Sequence, residues 1–263
     1  MVDFHTHILP NIDDGSKSVE ETFALIKEAE KAGFDAIIST SHYIEQYYNV
    51  PNRDRKIWLD ALSSKFDEQN INMKLYLGSE IYITEKIVEL IKEEKAATIN
   101  NTKYVLFELP MNAKPFYLND VIFEIMKNDM KPILAHPERY SFIQKNPNEI
   151  YDLIQKGVLM QSNYASFIGY YGNGVKFTAR KLLKNNMIHF LGSDVHTSRT
   201  IYPKIPKILE ELKKLIGEEK VYELTEKNPK SALNNEKIKI RDPEHIKMTF
   251  KDKFFMNGDS ENF

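Results

Sequence analysis

Short apolar runs alternate with stretches of helical period along most of the chain. Seven of the runs predict β-strands, at Val2–His5, Asp35–Ser39, Lys74–Leu77, Lys103–Phe107, Pro132–Ala135, Val158–Ser162 and Ile188–Leu191. The stretches between them predict helices at Val19–Lys31, Arg53–Glu68, Thr84–Glu94, Leu118–Lys127, Asn148–Gln155 and Gly174–Lys184. Because strands that alternate with helices build parallel sheets, we predict an α/β fold, and seven strands favour a barrel over an open sheet.

The last part of the chain follows a different pattern. Helices are predicted at Leu209–Ile216 and Lys220–Leu224, and Asn228-Pro229 opens another short one. From about Ile238 the periodicity degrades into charged and aromatic residues. With 263 residues and no repeat or low-complexity linker, the chain is predicted to form one domain over residues 1–240, followed by a tail of uncertain order at 241–263.

Composition narrows the classes of function. The net charge of −2 and the absence of a polybasic stretch argue against binding to nucleic acid or to an anionic membrane. No apolar run approaches the ~20 residues of a membrane span, and no signal peptide is recognisable, so we expect a cytoplasmic protein without membrane insertion. The chain has no cysteine, so any metal must be bound by His, Asp or Glu, which favours Mn, Fe, Zn or Mg.

Residue types that bind metals stand at the ends of most predicted strands. They are His5, His7, His42, Glu80, Glu108, His136, Asp194 and His196. In β/α barrels the C-terminal strand ends converge on one mouth, where catalytic residues gather. Five of the seven histidines and three carboxylates are therefore predicted to point at one place.

The spacing within this set favours metal ligation. His5 and His7 lie two residues apart, and such residues face the same side of an extended chain, so both imidazoles can reach one ion. Asp194 and His196 repeat this spacing. A lone histidine is more often a core or surface residue, and a buried ion pair is the alternative for the carboxylates. Charged groups after apolar strands are nevertheless costly unless they are paired or metal-bound.

Other residues allow two interpretations. In the loop Asn11–Gly15 an aspartate could form a turn or helix cap, or it could bind a metal. Arg139 and Arg199 could bind phosphate oxygens or form surface ion pairs. His189 lies within a strand and is interpreted as structural. Two tyrosine-rich loops could stack on an aromatic substrate, although packing or a subunit contact is the simpler explanation. These loops contain Tyr43, Tyr47 and Tyr48, and Tyr164, Tyr170 and Tyr171.

Six segments form a specific combination of motifs: Asp3–His7, Asp13–Gly15, Ser39–His42, Gly78–Tyr82, Ala135–Tyr140 and Gly192–His196. Together they resemble the polymerase and histidinol phosphatase superfamily. Within it they are most similar to the bacterial capsule-operon protein-tyrosine phosphatases of the CpsB/CapC/YwqE type, over roughly Met1 to Asn234. The resemblance implies a distorted (β/α)7 TIM-like barrel with three divalent ions, usually manganese, although Fe, Zn or Mg would suit the same ligands.

The resemblance also assigns roles to single residues. It implies these ligands: His5, His7, Glu80 and Asp194 for one ion; Glu80, Glu108 and His136 for a second; Asp14, His42 and His196 for a third. Asp14 is thereby chosen over Asp13, which receives no role. Arg139 and Arg199 fall where the family binds phosphate, and His42 is placed with them in the catalytic set.

The activity implied by the resemblance is hydrolysis of phosphotyrosine by a metal-activated hydroxide. The expected substrate is the phosphorylated tyrosine-rich tail of a bacterial tyrosine kinase that controls capsule or exopolysaccharide synthesis. A tyrosine leaving group, with a pKa of ~10, needs less protonation help than an aliphatic alcohol. Neither the general acid nor the role of the tyrosine-rich loops follows from the sequence.

Three alternatives remain open. They are a histidinol-phosphate or other small-molecule phosphatase, a TatD-like nuclease, and a barrel that serves as a non-catalytic scaffold. Asp14, His42 and the Asp194–His196 pair argue against the nuclease because they provide for a third ion. The complete ligand set argues against a scaffold, which has no need of so many costly polar groups. The sequence also leaves homo-oligomer formation open.

Overall fold

The computed structural model describes residues 1–197 and 201–247. Arg199, which the resemblance assigns to phosphate binding, lies outside the described residues. Residues 248–263 of the predicted tail also lie outside them. Secondary structure, contacts and charges below refer to the described part of the chain.

All seven predicted strands are present, with ends within two residues of their predicted positions. The strands are β1 Val2–Thr6, β2 Ala36–Ser39, β3 His42–Tyr43, β4 Lys74–Leu77, β5 Glu80–Tyr82, β6 Tyr104–Glu108, β7 Lys131–Ala135, β8 Leu159–Asn163 and β9 Phe190–Gly192. The short strands β3 and β5 were not predicted. They continue β2 and β4 after two-residue breaks, and each begins at a predicted metal ligand, His42 or Glu80.

The strands pair in parallel, in an order that follows the chain. Two ladders, β1-β2-β4 and β3-β5-β6-β7-β8-β9, are joined because β3 and β5 extend β2 and β4. The sheet curls until its first and last strands meet: the amide of Asp194 donates to the carbonyl of His5 at 2.8 Å, and that of His7 to Val195 at 3.0 Å. The architecture is therefore an α/β fold with a curled parallel sheet.

Helices cover the outside of the sheet and close the chain. They are α1 Val19–Lys31, α2 Asn52–Ser63, α3 Phe66–Gln69, α4 Ile87–Lys92, α5 Leu118–Lys127, α6 Ser141–Lys145, α7 Asn148–Gln155, α8 Tyr164–Phe167, α9 Asn173–Lys184, α10 Ile205–Ile216, α11 Glu218–Tyr222 and α12 Asn228–Leu233. Turns of 3-10 helix lie at Ile99–Asn101, Pro137–Arg139 and Tyr202–Lys204, and a π-helical stretch lies at Glu223–Lys227. The short helix expected to open at Asn228-Pro229 is confirmed.

Three helix predictions were wrong in extent by more than two residues. The helix predicted from Leu209 begins at Ile205, and local chemistry explains the other two. The predicted helix Arg53–Glu68 is divided into α2 and α3, where Ser63 and Ser64 turn their hydroxyls back onto main-chain carbonyls. Such back-bonding competes with the helical ladder. The predicted helix Thr84–Glu94 is shorter at both ends, and Glu94 adopts a left-handed φ of 55° that ends it.

Apolar side chains from strands all around the curled sheet fill its interior. This interior group includes Phe4, Ile38, Leu106, Ile133 and Phe190, with Phe4 stacked on Phe190 at 4.1 Å between ring centroids. The group also includes Leu233 and Ile238, so the C-terminal segment closes the N-terminal end of the sheet. Only the C-terminal strand ends are left to build a site.

An irregularity in β1 lets one strand serve both the core and the site. Between the pairs Asp3–Ile37 and Thr6–Ser39, β1 has one more residue than β2. Such a bulge re-aims the side chains that follow it. Phe4 therefore packs in the interior group, while His5, the next residue, reaches the other polar side chains at the mouth.

The residues after 238 form no helix or strand up to 247, yet they pack against the fold. Arg241 pairs with Glu223 at 2.8 Å, and the main chain of Ile246 forms two hydrogen bonds with the side chain of Asn148. The domain boundary at residue 240 stays a prediction. The contacts of Ile246 show that the chain remains attached to the helical layer for at least six residues beyond it.

His189, interpreted from the sequence as structural, is buried just before β9. Its Nδ1 accepts a hydrogen bond from the amide of Met160 at 3.0 Å, and burial lowers its pKa to about 3. Below pH ~6.5 this histidine is protonated in the unfolded chain but stays neutral in the folded chain. The histidine therefore makes the fold less stable as the pH falls.

We expect His189→Gln, which retains an acceptor for Met160, to reduce this acid sensitivity. Between pH 6.5 and 5.5 the wild-type protein should lose about 1 kcal/mol more unfolding free energy than the variant. Urea denaturation at several pH values measures the difference. Parallel pH profiles for the two proteins would contradict the assignment of a buried neutral histidine.

Candidate metal centre

The structure brings all nine predicted ligands together at the C-terminal ends of the strands. Each comes from the end of a strand, or from the loop after it. They are His5, His7, Asp14, His42, Glu80, Glu108, His136, Asp194 and His196. Their placement on six neighbouring strands follows from the parallel pairing, because parallel strands deliver their C-terminal ends to one edge of the sheet.

Four of these residues direct one ligand atom each at a common point. His5 Nε2 lies 3.0 Å from His7 Nε2, 3.2 Å from Glu80 Oε2 and 3.5 Å from Asp194 Oδ1. His7 Nε2 lies 3.4 Å from the same oxygen of Glu80 and 3.3 Å from that of Asp194. Bonds of about 2.0–2.2 Å to a shared ion place neighbouring ligand atoms about 3.0–3.5 Å apart. The separations therefore fit one divalent cation.

The hydrogen bonds behind the two imidazoles fix which nitrogen faces that point. Gln161 Oε1 lies 2.7 Å from His5 Nδ1, and Asp13 Oδ2 lies 2.8 Å from His7 Nδ1. Both partner oxygens can only accept, so each Nδ1 carries a proton, and a ring that is neutral turns the lone pair of its Nε2 inward. Two lone pairs and two carboxylate oxygens then converge, and only positive charge between them can make this arrangement favourable.

Protons or cations can supply that positive charge. Burial opposes the charged form of His5, but the carboxylates of Glu80 and Asp194 outweigh it and raise the pKa. His42 behaves in the same way: burial opposes its charge, and the field of Glu80 raises its pKa to about 9. Metal ligation requires unprotonated imidazoles, so a cation would bind here in exchange for protons.

Glu80 occupies the middle of the candidate centre. Its Oε2 faces His5, His7 and the Nδ1 of His42, which lies 3.1 Å away, while its Oε1 lies 2.8 Å from His136 Nε2. Oε2 of Glu80 and Nδ1 of His42 are buried without a well-oriented hydrogen bond. Buried polar atoms without partners are unusual, and ligation of metal ions would satisfy both.

The remaining ligands form two further groups. Glu80, Glu108 and His42 make one, with Glu108 Oε1 3.1 Å from His42 Nδ1. Asp14, His42, His196 and His7 make the other, with Asp14 Oδ1 3.4 Å from His196 Nε2. The grouping differs from the implied sets in three details. His7 joins the group of Asp14, His42 and His196. His42 faces both groups, and His136 lies close to Glu80 but 4.0 Å from Glu108.

Two of the ligands sit on strained backbone. His136 has φ 32° and Asp194 has φ 54°, both in the left-handed region that residues with a side chain rarely adopt. Each residue follows the end of a strand, where the left-handed turn directs its side chain across the mouth. Such conformations persist where the surrounding structure holds them, and they concentrate at functional sites.

Two glycines allow close approach of the backbone around the first histidines. A Cβ on Gly15 would lie 2.1 Å from the carbonyl oxygen of His7 and 2.9 Å from Asp13 Oδ1. A Cβ on Gly192 would lie 2.6 Å from the Cβ of His5. Any side chain at either position would therefore displace a predicted ligand or its hydrogen-bond partner.

Sequence reasoning missed the residues that orient the ligands. Asp13 was left without a role, yet its Oδ2 accepts hydrogen bonds from His7 Nδ1 and from the amide of His42, both at 2.8 Å. Its position beside Asp14 in Asp-Asp-Gly was the available signal. Gln161 stands on the inward side of β8, far along the chain from His5, and no local pattern marks it.

Arg55 on α2 was also missed. Its buried guanidinium donates to the carbonyl of Ser41 at 2.8 Å, to Ser79 Oγ at 2.9 Å and to the carbonyl of His42 at 2.6 Å. Ser41 and Ser79 immediately precede the ligands His42 and Glu80, in the breaks that separate β2 from β3 and β4 from β5. One side chain thus ties together both interrupted strands.

Arg139, predicted to bind phosphate, lies at the edge of the cluster. Its Nη1 donates to Asp194 Oδ2 at 3.0 Å, and Asn163 Nδ2 donates to the same oxygen at 2.7 Å. The buried carboxylate of Glu138 in turn accepts from the amide of Asn163 at 2.9 Å. The oxygen of Asp194 that faces away from the histidines is thereby held from two sides.

The two tyrosine-rich loops contact different residues of the cluster. Tyr48 stacks over His42 with 6.0 Å between ring centroids, and Tyr171 lies under the guanidinium of Arg139 at 4.5 Å. Tyr43 and Tyr164, by contrast, are buried in the outer core.

The described helices include none that is long and apolar enough to cross a membrane.

Comparison with known proteins identifies the chain's relatives. A family described as capsular polysaccharide synthesis, CpsB/CapC, matches residues 1–234. The chain belongs to the CpsB/CapC family. Among its relatives, CapC of Staphylococcus aureus is 36% identical over 243 residues, covering 92% of this chain and 95% of CapC. The tyrosine-protein phosphatase YwqE of Bacillus subtilis is 32% identical, covering 94% of this chain and 97% of YwqE.

Solved structures place this CpsB/CapC member in the same group. A crystal structure from work on YwqE of Bacillus subtilis and CpsB of Streptococcus pneumoniae, described as metal-dependent tyrosine phosphatases, matches with a TM-score of 0.89 and 29% identity. The match covers 94% of this chain and 100% of that one. Histidinol phosphate phosphatase of Lactococcus lactis matches with a TM-score of 0.57 and 16% identity, over 81% and 93% of the two chains, and shares the fold.

The hydrogen bond behind His5 provides a test of the candidate centre. We expect Gln161→Met, which keeps the shape but removes the acceptor, to weaken Mn²⁺ binding about 10- to 100-fold, as loss of an orienting partner does in metal sites. Calorimetric titration of metal-stripped protein measures the affinity. Gln155→Met, on an exposed position of α7, is the matched control; equal affinities for both variants would exclude a role for Gln161.

Proposed function

We propose that this CpsB/CapC chain is a metal-dependent protein-tyrosine phosphatase, a phosphoric monoester hydrolase. The observation that carries the proposal is the convergence of His5, His7, Glu80 and Asp194 at separations that fit a shared divalent cation. The family match and the similarity to metal-dependent tyrosine phosphatases support the choice of reaction.

We further propose three divalent ions, with manganese as the physiological metal. The three ligand groups contain nitrogen and oxygen donors and no sulfur, which suits Mn²⁺ as well as Fe, Zn or Mg. Divalent ions bound there would lower the pKa of a coordinated water and neutralise phosphoryl oxygens. The ligands would be the nine residues of the candidate centre.

The charge of the cluster supports a phosphomonoester substrate. The five carboxylates of the site are those of Asp13, Asp14, Glu80, Glu108 and Asp194. Three divalent ions together with the Arg139 guanidinium would exceed the charge of these five carboxylates. A phosphomonoester, which carries close to two negative charges at neutral pH, would be attracted by this positive charge.

The chain's own residues would then bind and orient the substrate. The Arg139 guanidinium, held between Asp194 and the Tyr171 ring, offers further N–H donors to phosphoryl oxygens. Its fixed charge stabilises the charge that spreads over those oxygens during phosphoryl transfer. Because tyrosinate is a weak base with a conjugate pKa of ~10, departure of the ring requires little protonation. Arg199 is proposed to assist Arg139 on the basis of the resemblance alone.

As substrate we propose the phosphorylated tyrosine-rich tail of a bacterial tyrosine kinase that regulates capsule or exopolysaccharide synthesis. The family's description as capsular polysaccharide synthesis supports this assignment. Because tyrosine kinases consume cytoplasmic ATP, the substrate assignment places the reaction in the cytoplasm.

We also infer that the curled sheet is a distorted seven-stranded barrel. The parallel bridge between Thr6 and Val195 and the hydrogen bond from the Ser193 amide to Asp3 Oδ1, at 2.8 Å, join the first strand to the last. Counting β2 with β3 and β4 with β5 gives seven strands, each contributing to one continuous wall.

Phosphate release from three substrates tests the proposed reaction. Metal-stripped protein should release little phosphate from a phosphotyrosine peptide, and added Mn²⁺ should restore turnover. Histidinol phosphate and single-stranded DNA, assayed in parallel, should be poor substrates. Cleavage of either competitor in preference to the peptide would overturn the substrate; inactivity on all three would favour the scaffold alternative.

Single substitutions test the assignment of the ligands. His136→Ala or Asp194→Ala should reduce kcat for the phosphotyrosine peptide by at least about 10³-fold, since each removes a predicted ligand and leaves unpaired charge in its place. His245→Ala is the matched control, because His245 packs on Tyr151 away from the cluster. Activity of the ligand variants within a few-fold of wild type would refute the site.

A further inference from the structure

A cavity of about 250 Å³ opens beside the candidate metal centre. Asp194 and His196 form the side of it that faces the metal ligands, and Arg139 lies next to them. The rest of the lining is mainly apolar or aromatic, from Ala165, Val195, Ile201, Tyr170 and Tyr171, with Ser193 and Thr197 as its other polar members. The cavity thus combines strongly polar with apolar lining, as a small-molecule site does.

Tyr171 forms the wall of the cavity behind Arg139. Its ring lies 4.5 Å from the guanidinium carbon, and this guanidinium donates to Asp194 at 3.0 Å. Stacking on an aromatic face restricts the rotamers of an arginine and leaves its outer N–H groups directed away from the ring. Tyr171 is therefore a positioning residue for Arg139, at the polar end of the cavity.

Tyr170 extends the aromatic wall toward solvent. Its ring stands nearly perpendicular to that of Tyr171, with 5.1 Å between centroids and an angle of 87° between planes. Tyr170 is 59% exposed, although large aromatic residues usually bury most of their surface. Its ring therefore presents exposed aromatic surface beside the cavity, with the ammonium of Lys204 6.0 Å from its centroid.

We propose that this cavity is the subsite for the aromatic ring of phosphotyrosine, with Tyr170 and Tyr171 as its specificity-determining residues. The proposal rests on the proposed function and names the part of the site that would distinguish phosphotyrosine from aliphatic phosphomonoesters. The phosphate would lie at Arg139 and at the ions that Asp194 and His196 would hold, and the phenyl ring would lie against the two tyrosines. Aromatic pairs of this kind add affinity beyond simple burial of surface.

Two phosphonates that cannot be hydrolysed separate recognition of the ring from recognition of the phosphate. Phenylphosphonate and methylphosphonate would be titrated into manganese-loaded protein by calorimetry, and the ratio of their dissociation constants compared among variants. Damage to the metal centre weakens both ligands together and leaves the ratio unchanged. Loss of the ring subsite weakens phenylphosphonate alone.

We expect Tyr170→Ser and Tyr171→Leu each to reduce the preference for phenylphosphonate about 3- to 10-fold. Tyr171→Phe, which keeps the ring, should retain the preference. Tyr47→Ser is the matched control, since Tyr47 is an exposed tyrosine of the other tyrosine-rich loop and borders a different cavity. An unchanged ratio in both test variants, an equal loss in the control, or no phenyl preference in the wild-type protein would overturn the ring subsite.

These outcomes are distinguishable from failure of the proposed function. Retained phenyl preference that depends on Tyr170 and Tyr171, without turnover of a phosphotyrosine peptide, would support the ring subsite and refute the phosphatase. Normal peptide turnover with a ratio insensitive to both tyrosines would refute the ring subsite alone.

Discussion

The convergence of acidic oxygens and imidazole lone pairs at one buried point is the constraint on which the rest of the structure depends. Glu80 and Asp194 bring negative charge into a buried region, and His5 and His7 turn their Nε2 atoms toward the same place. Unpaired charge in such surroundings is expensive, so the arrangement requires positive charge at its centre. The chemistry that we propose follows from this requirement, because the cations that satisfy it also attract phosphate.

The fold meets this constraint by dividing the interior of the sheet. Apolar side chains such as Phe4 and Phe190 fill the end near the strand N-termini, and α12 closes that end. Polar side chains occupy the other end, where a bulge in β1 and left-handed turns at His136 and Asp194 aim them inward. Each of these irregularities costs stability. The packed apolar side chains at the N-terminal end of the sheet provide the rigid support that holds them.

The sequence was sufficient to locate strands and ligands because both have local signatures. Apolar runs predicted all seven strands, and the polar residues at their ends pointed to the cluster. Orientation depends instead on distant partners. Gln161 contacts His5 across 156 residues, and Arg55 reaches from a helix to the breaks before His42 and Glu80, so neither leaves a local pattern. The breaks at Thr40-Ser41 and Gly78-Ser79 were also missed, because they depend on the distant contacts of Arg55. They direct side chains into a site that tertiary structure assembles. Asp13 had a visible signal in Asp-Asp-Gly, but the sequence could not distinguish a ligand from the partner of a ligand.

The most direct test of the central claim is the location of the metal itself. Crystals of manganese-loaded protein, measured at the manganese absorption edge, report the position of each ion through anomalous scattering. We expect a peak within about 2.0–2.3 Å of His5 Nε2, His7 Nε2 and an oxygen of Asp194, with further peaks beside Glu80. A map without a peak between the two imidazoles, or a structure in which their Nε2 atoms turn away from each other, would contradict the account.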